Sequence, residues 1–233
     1  MSITVTQLDR VPVWRVGFKP DPWAWSGWEW SHDGRFTGRW DDRAGIFRTV
    51  YVGASLLGCL LEVLAPLRPD PHVTAALDGI IEDDEYAALH PTIVPGQLSR
   101  AWLTSRCIGT ATLSGSFCDV TTSANIAALR SQFVGRALAL GLDDYDAAAL
   151  KDARARELTQ AVATHLHGTT LVDGVAFRSR HGDEQRLWAI FERPGALDPI
   201  HPLCLQDRHE ANLDGDEPEL VQALDLFGLS WTD

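Results

Sequence analysis

Apolar and polar residues alternate over two short stretches near the start of the chain, residues 11–16 (Val-Pro-Val-Trp-Arg-Val) and 47–52 (Phe-Arg-Thr-Val-Tyr-Val). That alternation, with its β-branched side chains, predicts strands. Ser55 then stands before a nearly unbroken apolar run over 56–65, which predicts a helix capped by the serine hydroxyl and ended by Pro66. Residues 99–120 read as strand, with Ala101-Trp-Leu103, Cys107-Ile108 and 111–113 as apolar steps between small and polar residues. The period turns helical over 124–140 and 146–167, both rich in Ala, Leu and Arg. Residues 170–179 and 187–191 are strand-like again, joined as a hairpin through 180–184. Strands, then helices, then strands predict an α+β chain rather than a parallel βαβ sheet.

Between these elements lie segments of biased composition. Five of the nine tryptophans fall between Trp23 and Trp40, among turn residues. Flat rings suit a lid that stacks on a flat ligand, and they equally suit padding of a loop over the core or a dimer contact. Residues 70–95 are acidic and punctuated by proline, and the run Glu82-Asp-Asp-Glu85 reads as a solvated cluster before it reads as a cation site. His165 and His167, just before Gly168, read as cations near a helix end rather than as metal ligands. Beyond Asp207 the chain is strongly acidic, with Arg208 its one arginine; this tail suits a solubilising appendage or a dock for a basic partner. The expected organisation is a main domain over 1–195 with an acidic extension over 196–233 packed on it.

Composition narrows the function classes. At 233 residues and 45% hydrophobic side chains the chain can bury a sizeable core. No run approaches the roughly 20 apolar residues of a membrane span, and the N-terminus lacks a signal-peptide layout, so a cytoplasmic, membrane-free protein is expected. Cys59, Cys107, Cys118 and Cys204 have no CxxC spacing and read as reduced thiols, with no metal site among them. A net charge of −12 argues against direct nucleic-acid binding. An anionic ligand must therefore be met by a local arginine.

Glu62 is the most informative residue. It is the only charged side chain within 56–65, and a carboxylate on an apolar helix needs a partner or a task. The residues three, four and seven positions earlier are Cys59, Gly58 and Ser55, so its face reads as a shallow trough of small side chains. The preceding strand supplies Tyr51, and the loop before it supplies Arg39 between Gly38 and Trp40.

Gly38-Arg-Trp40, a turn, Val50-Tyr-Val-Gly-Ala-Ser55 and an apolar helix with Glu62 eleven residues after Tyr51 resemble the opening motif of the RES domain, the toxin of RES–Xre toxin–antitoxin pairs. Thr159-Gln-Ala-Val-Ala163, Asp173-Gly-Val-Ala-Phe-Arg-Ser-Arg180 and Leu187-Trp-Ala-Ile-Phe191 are similar to the family's second block. The resemblance spans residues 11–191. The family's functional residues fall on Arg39, Tyr51, Glu62 and Ser179, with Arg35 and Arg43 as neighbouring alternatives to Arg39, and Phe177 stands where a tyrosine is common.

The resemblance implies an ADP-ribosyltransferase-like fold and an enzyme that breaks the nicotinamide–ribose bond of NAD by hydrolysis or phosphorolysis, with inorganic phosphate as co-substrate in the second case and no metal. It also implies a homodimer and an Xre-type helix-turn-helix antitoxin as partner. The residue types suit this chemistry: Glu62 for an oxocarbenium-like ribose, Arg39 for the pyrophosphate, Tyr51 to stack on nicotinamide or orient the ribose, and Ser179 to bond the carboxamide or a ribose hydroxyl. ADP-ribosyl transfer to a protein or small molecule uses the same residues. A non-catalytic nucleotide-binding module would have no need of a lone carboxylate in an apolar helix.

Overall fold

The computed structural model describes residues 2–72, 96–169, 172–193 and 198–232. Its organising element is a long strand, β4 (Arg106–Asp119), with partners on both edges. Along one edge runs β1 (Thr6–Phe18), antiparallel from Thr6↔Phe117 to Phe18↔Arg106 with a bulge between Leu8 and Val11. The other edge is shared. Residues 107–113 pair antiparallel with β7 (Leu205–Asn212), and residues 117–119 pair parallel with β5 (Gly174–Ser179). The change of partner occurs at Gly115, whose φ of 135° and closeness to Asp173 Oδ2, 2.5 Å from where a Cβ would lie, admit no side chain.

From β5 the chain turns through Arg180 and His181 into β6 (Gly182–Phe191), and β6 pairs antiparallel with β2 (Thr49–Gly53), Tyr51 opposite Ala189. A pairing of Trp14 with Gly53 brings β2 back to β1, so the six-stranded sheet closes on itself with β7 outside the ring. A separate parallel pair joins β3 (Gln97–Ser99) to β8 (Ser230–Thr232). The result is a mixed α+β fold with its sheets flanked by helices.

Helices lie on two sides. On one side, α1 (Leu56–Leu64) buries Leu60, Leu61 and Leu64 against Leu220, Leu224 and Phe227 of α6 (Pro218–Phe227). Ser55 caps α1 as expected, its Oγ accepting from Gly58 N at 3.0 Å, and the last turn tightens into a 3₁₀ turn, Ala65–Leu67, carrying Pro66. On the other side, α3 (Ser123–Ala139) and α5 (Arg156–Thr169) place Leu129, Phe133, Val162 and Leu166 against Val175, Ala189 and Phe191.

Two expectations need correction. Residues 101–103 are not strand: Ala101–Thr104 form a helical turn, α2, entered from Ser99, whose Oγ accepts from Ala101 N. The helix over 146–167 is two, α4 (Ala147–Lys151) and α5, because Asp152 turns extended (ψ 116°) and its Oδ1 accepts from Arg154 N at 2.8 Å. An aspartate that bonds the backbone two residues on offers the chain an alternative to the helix.

The acidic run 82–85 lies outside the described residues. No described helix is long and apolar enough to cross a membrane. Cys59, Cys107, Cys118 and Cys204 are free thiols.

Candidate active site

A cleft of about 490 Å³ is lined by β1, the turn before β2, α1 and the β5–β6 turn, together with Arg106 at the start of β4 and Asp152, Ala153 and Arg156 where α4 gives way to α5. Arg39, Tyr51 and Glu62 line it. Ser179 lies behind them, 1% exposed, and its Oγ donates to Glu62 Oε1 at 2.6 Å while accepting from His181 N at 3.0 Å. The Ser179 hydroxyl proton is thus directed at Glu62, an arrangement that orients the carboxylate. No described residue hydrogen-bonds Glu62 Oε2.

The trough expected beside Glu62 is largely filled. Gln185 of β6 reaches over Gly58 and Ser55; its Oε1 accepts from Ser55 Oγ at 2.7 Å and lies 2.8 Å from where a Gly58 Cβ would be. Gly58 makes room for this glutamine rather than for a ligand. Cys59 does line the cleft; its thiol donates to Trp14 O, and burial pushes its pKa up to about 12.

Tyr51 is tied down at its hydroxyl, which donates to Asp41 Oδ1 at 2.8 Å and accepts from Trp40 N at 2.9 Å. Burial first, then the Asp41 charge, raise the phenol pKa well above 10, so Tyr51 stays a phenol. Tyr51 lines the cleft with its hydroxyl held by these two bonds. Asp41 also accepts from Gly38 N, and burial raises its carboxyl pKa despite that bond and the one from Tyr51.

This cage shapes the turn that carries Arg39. A Cβ on Gly38 would lie 2.5 Å from Tyr51 Oη and 2.6 Å from Asp41 Oδ2, so only glycine fits there. Gln160 of α5 holds the same turn by donating to Gly38 O at 3.1 Å. The Arg39 guanidinium lies 5.6 Å from the centroid of the Phe177 ring. Burial lowers its pKa, partly offset by the charge of Glu62. Among the described residues it has no ion-pair or hydrogen-bond partner. The alternatives sit elsewhere: Arg43 pairs with Glu157, and Arg35 is exposed; neither lines the cleft.

Sequence reasoning missed several residues. Asp41 and Asp42 sit in a turn whose composition reads as solvated, yet they are 6% and 2% exposed, Asp42 being held by Ile46 N and by Thr164 Oγ1 of α5. Arg15, Arg106, Arg156 and Arg180 join Arg39 around the cleft, against the carboxylates of Glu62 and Asp152. This is the local positive region an acidic chain needs for an anionic ligand. Arg15 carried a readable signal, since it shares strand parity with the buried Val13.

Trp23, Trp25 and Trp40 are buried while Trp28 and Trp30 are exposed, and the segment meets the cleft through Ser26, Thr37, Gly38 and Arg39, with no indole among the lining residues. His167 stacks on Phe47 at 4.0 Å and donates from Nε2 to Glu192 O, while His165 Nδ1 meets Gln132. Among the described residues no three His, Cys, Asp or Glu side chains group as metal ligands.

The RES domain family model matches residues 12–214 of the chain. Among solved structures the chain is similar to one described as the crystal structure of the M. tuberculosis MbcT–MbcA toxin–antitoxin complex, at 16% identity and a TM-score of 0.45, covering 96% of this chain and 92% of that one. No curated protein matches.

Proposed function

The chain belongs to the RES-domain family, and from that premise we propose that it cleaves the nicotinamide–ribose bond of NAD as the toxin of a toxin–antitoxin pair. The observation that carries this reading is the hydrogen bond from Ser179 to Glu62 at the edge of an arginine-lined cleft. A carboxylate held from behind, with its second oxygen unclaimed by described residues, suits a reaction in which positive charge develops on a sugar.

The steps follow from the side chains. Arg39 meets the diphosphate with its forked donors, and the Tyr51 ring offers an apolar face to the nicotinamide ribose or its base. As the glycosidic bond breaks, its electron pair passes to the nicotinamide nitrogen and cancels the pyridinium charge. Positive charge moves to the ribose C1′ and ring oxygen, where Glu62 stabilises it or holds a ribose hydroxyl. Water then adds at C1′ and loses a proton to solvent, giving ADP-ribose, or inorganic phosphate adds there through one of its oxygens, giving the phosphorylated form. No step calls for a metal. The ADP-ribosyltransferase-like fold, the homodimer, the cytoplasmic site and the Xre-type antitoxin belong to the same reading; with this chain so acidic, the antitoxin is the DNA reader.

The test is to incubate the purified protein with NAD, with and without inorganic phosphate, and identify products by chromatography and mass. Nicotinamide with ADP-ribose in both conditions means hydrolysis, and a phosphorylated ADP-ribose formed only with phosphate means phosphorolysis. ADP-ribose attached to an added protein means transfer. Intact NAD throughout contradicts the proposal.

A further inference from the structure

The helix that packs on α1 lies beyond the residues that match the RES domain. The match ends at residue 214, and α6 spans Pro218–Phe227. It buries Leu220, Leu224 and Phe227 in the cluster that holds Leu60, Leu61 and Leu64 of α1. Gly228 ends the helix in the left-handed region (φ 63°), Leu229 N donates back to Leu224 O at 2.9 Å, and β8 then pairs with β3. Phe227 is thereby fixed at the end of a helix anchored on both sides.

The Phe227 ring touches two places that flank Glu62. The Arg68 guanidinium lies 4.7 Å from the ring centroid, and the His181 ring meets it edge-on with centroids 5.4 Å apart. Arg68 follows the 3₁₀ turn that closes α1. His181 belongs to the β5–β6 turn, where its backbone N–H donates to Ser179 Oγ, the group that holds Glu62 Oε1. One ring thus spans the two elements that the Ser179–Glu62 bond joins. Phe227 does not line the cleft.

A hydrogen bond weakens steeply once misaligned, and a misplacement of about 1 Å near a reacting centre costs about 100-fold in rate. A flat ring between the turn and the end of α1 keeps their separation. A smaller side chain lets the turn settle toward α6, and Ser179 moves with it.

We propose that Phe227 is a positioning residue for Glu62: through His181 and Ser179 it sets the orientation of the carboxylate, so that a helix beyond the family match tunes the cleft without touching substrate. The kinetic consequence rests on the proposed NAD-cleaving reading; the structural one does not.

Three variants test it, each assayed well below its own melting temperature. Phe227→Leu keeps an apolar side chain and removes the ring, Phe227→Tyr keeps the ring, and Leu224→Ala opens the same buried face of α6 about one turn earlier. The expected result is a kcat for NAD cleavage about 10-fold lower in Phe227→Leu with KM little changed, near wild type in Phe227→Tyr, and unchanged in Leu224→Ala despite a lower melting temperature. An unchanged kcat in Phe227→Leu, or an equal fall in Phe227→Leu and Leu224→Ala, overturns the proposal and leaves the NAD-cleaving reading standing. If Phe227→Leu does not fold, Phe227→Met is read in its place. Wild-type protein that leaves NAD intact contradicts that reading alone, and a crystal structure of the ring-less variant then decides: Ser179 Oγ beyond hydrogen-bond distance of Glu62 supports the proposal, and an undisturbed bond overturns it.

Discussion

Ser179 Oγ donates to Glu62 Oε1 at 2.6 Å across 117 residues of sequence. The bond links the end of β5 to the last turn of α1, two elements whose order in the chain gives no hint that they meet. It makes Ser179 a positioning residue for the carboxylate. Ser179→Ala should therefore lower kcat for NAD cleavage by about 10- to 100-fold, the worth of a hydrogen bond to a charged group, with a smaller change in KM. Steady-state kinetics beside a melting curve check this; a changed KM with unchanged kcat would place Ser179 in substrate binding instead.

The bond between Tyr51 and Asp41 belongs to the scaffold of the cleft. Tyr51→Phe leaves Asp41 Oδ1 and Trp40 N without that partner, and it should cost about 1–3 kcal/mol of stability. Its ring remains, so ADP-ribose affinity should change little. Denaturant unfolding and calorimetry on the same sample separate the two effects.

Gly38 has a steric role rather than a flexible one. Gly38→Ala drives a methyl group onto Tyr51 Oη and Asp41 Oδ2, which should destabilise the fold by about 1–3 kcal/mol and displace the turn carrying Arg39. The KM for NAD should rise several-fold. An unchanged KM would show that Arg39 does not bind through this turn.

His167 gives stability a pH dependence of known sign. Burial against Phe47 lowers its pKa below the usual 6.5, so between the folded value and 6.5 the unfolded chain binds more protons. Its neutral form contributes stability above pH 6.5, and that contribution is lost as the pH falls through 6.5 toward the folded value. His165 and His181 are shifted the same way, also by burial. His167→Gln should flatten part of the decline in unfolding free energy below pH 6.5, measured by urea titration across pH 5–8.

What the sequence made legible was local. The Ser55 cap, the α1 helix with its isolated Glu62, the β5–β6 hairpin and the α+β order follow from periodicity and capping chemistry, which a short window contains. Asp41 and Asp42 were hidden because their turn is polar by composition; they are buried by Tyr51 and Thr164, partners brought in by the sheet and by α5. Gly58 looked like open space for a ligand, and Gln185, far off in the chain, takes it. The break at Asp152 was missed because Ala, Leu and Arg continue on both sides of an aspartate that bonds its own backbone. Arg15 shares strand parity with the buried Val13, a sign that is visible once the strand's inward face is known.

Nicotinamide release from NAD by the wild-type chain and by Glu62→Gln, followed side by side at equal concentration, tests the central claim most directly. Glu62→Gln keeps the size of the side chain and its acceptor oxygen for Ser179, while removing the carboxylate. Release by wild type, reduced at least about 100-fold in Glu62→Gln with folding intact, is the result expected for a group that stabilises the transition state. Equal release by the two proteins, or none by wild type, contradicts it.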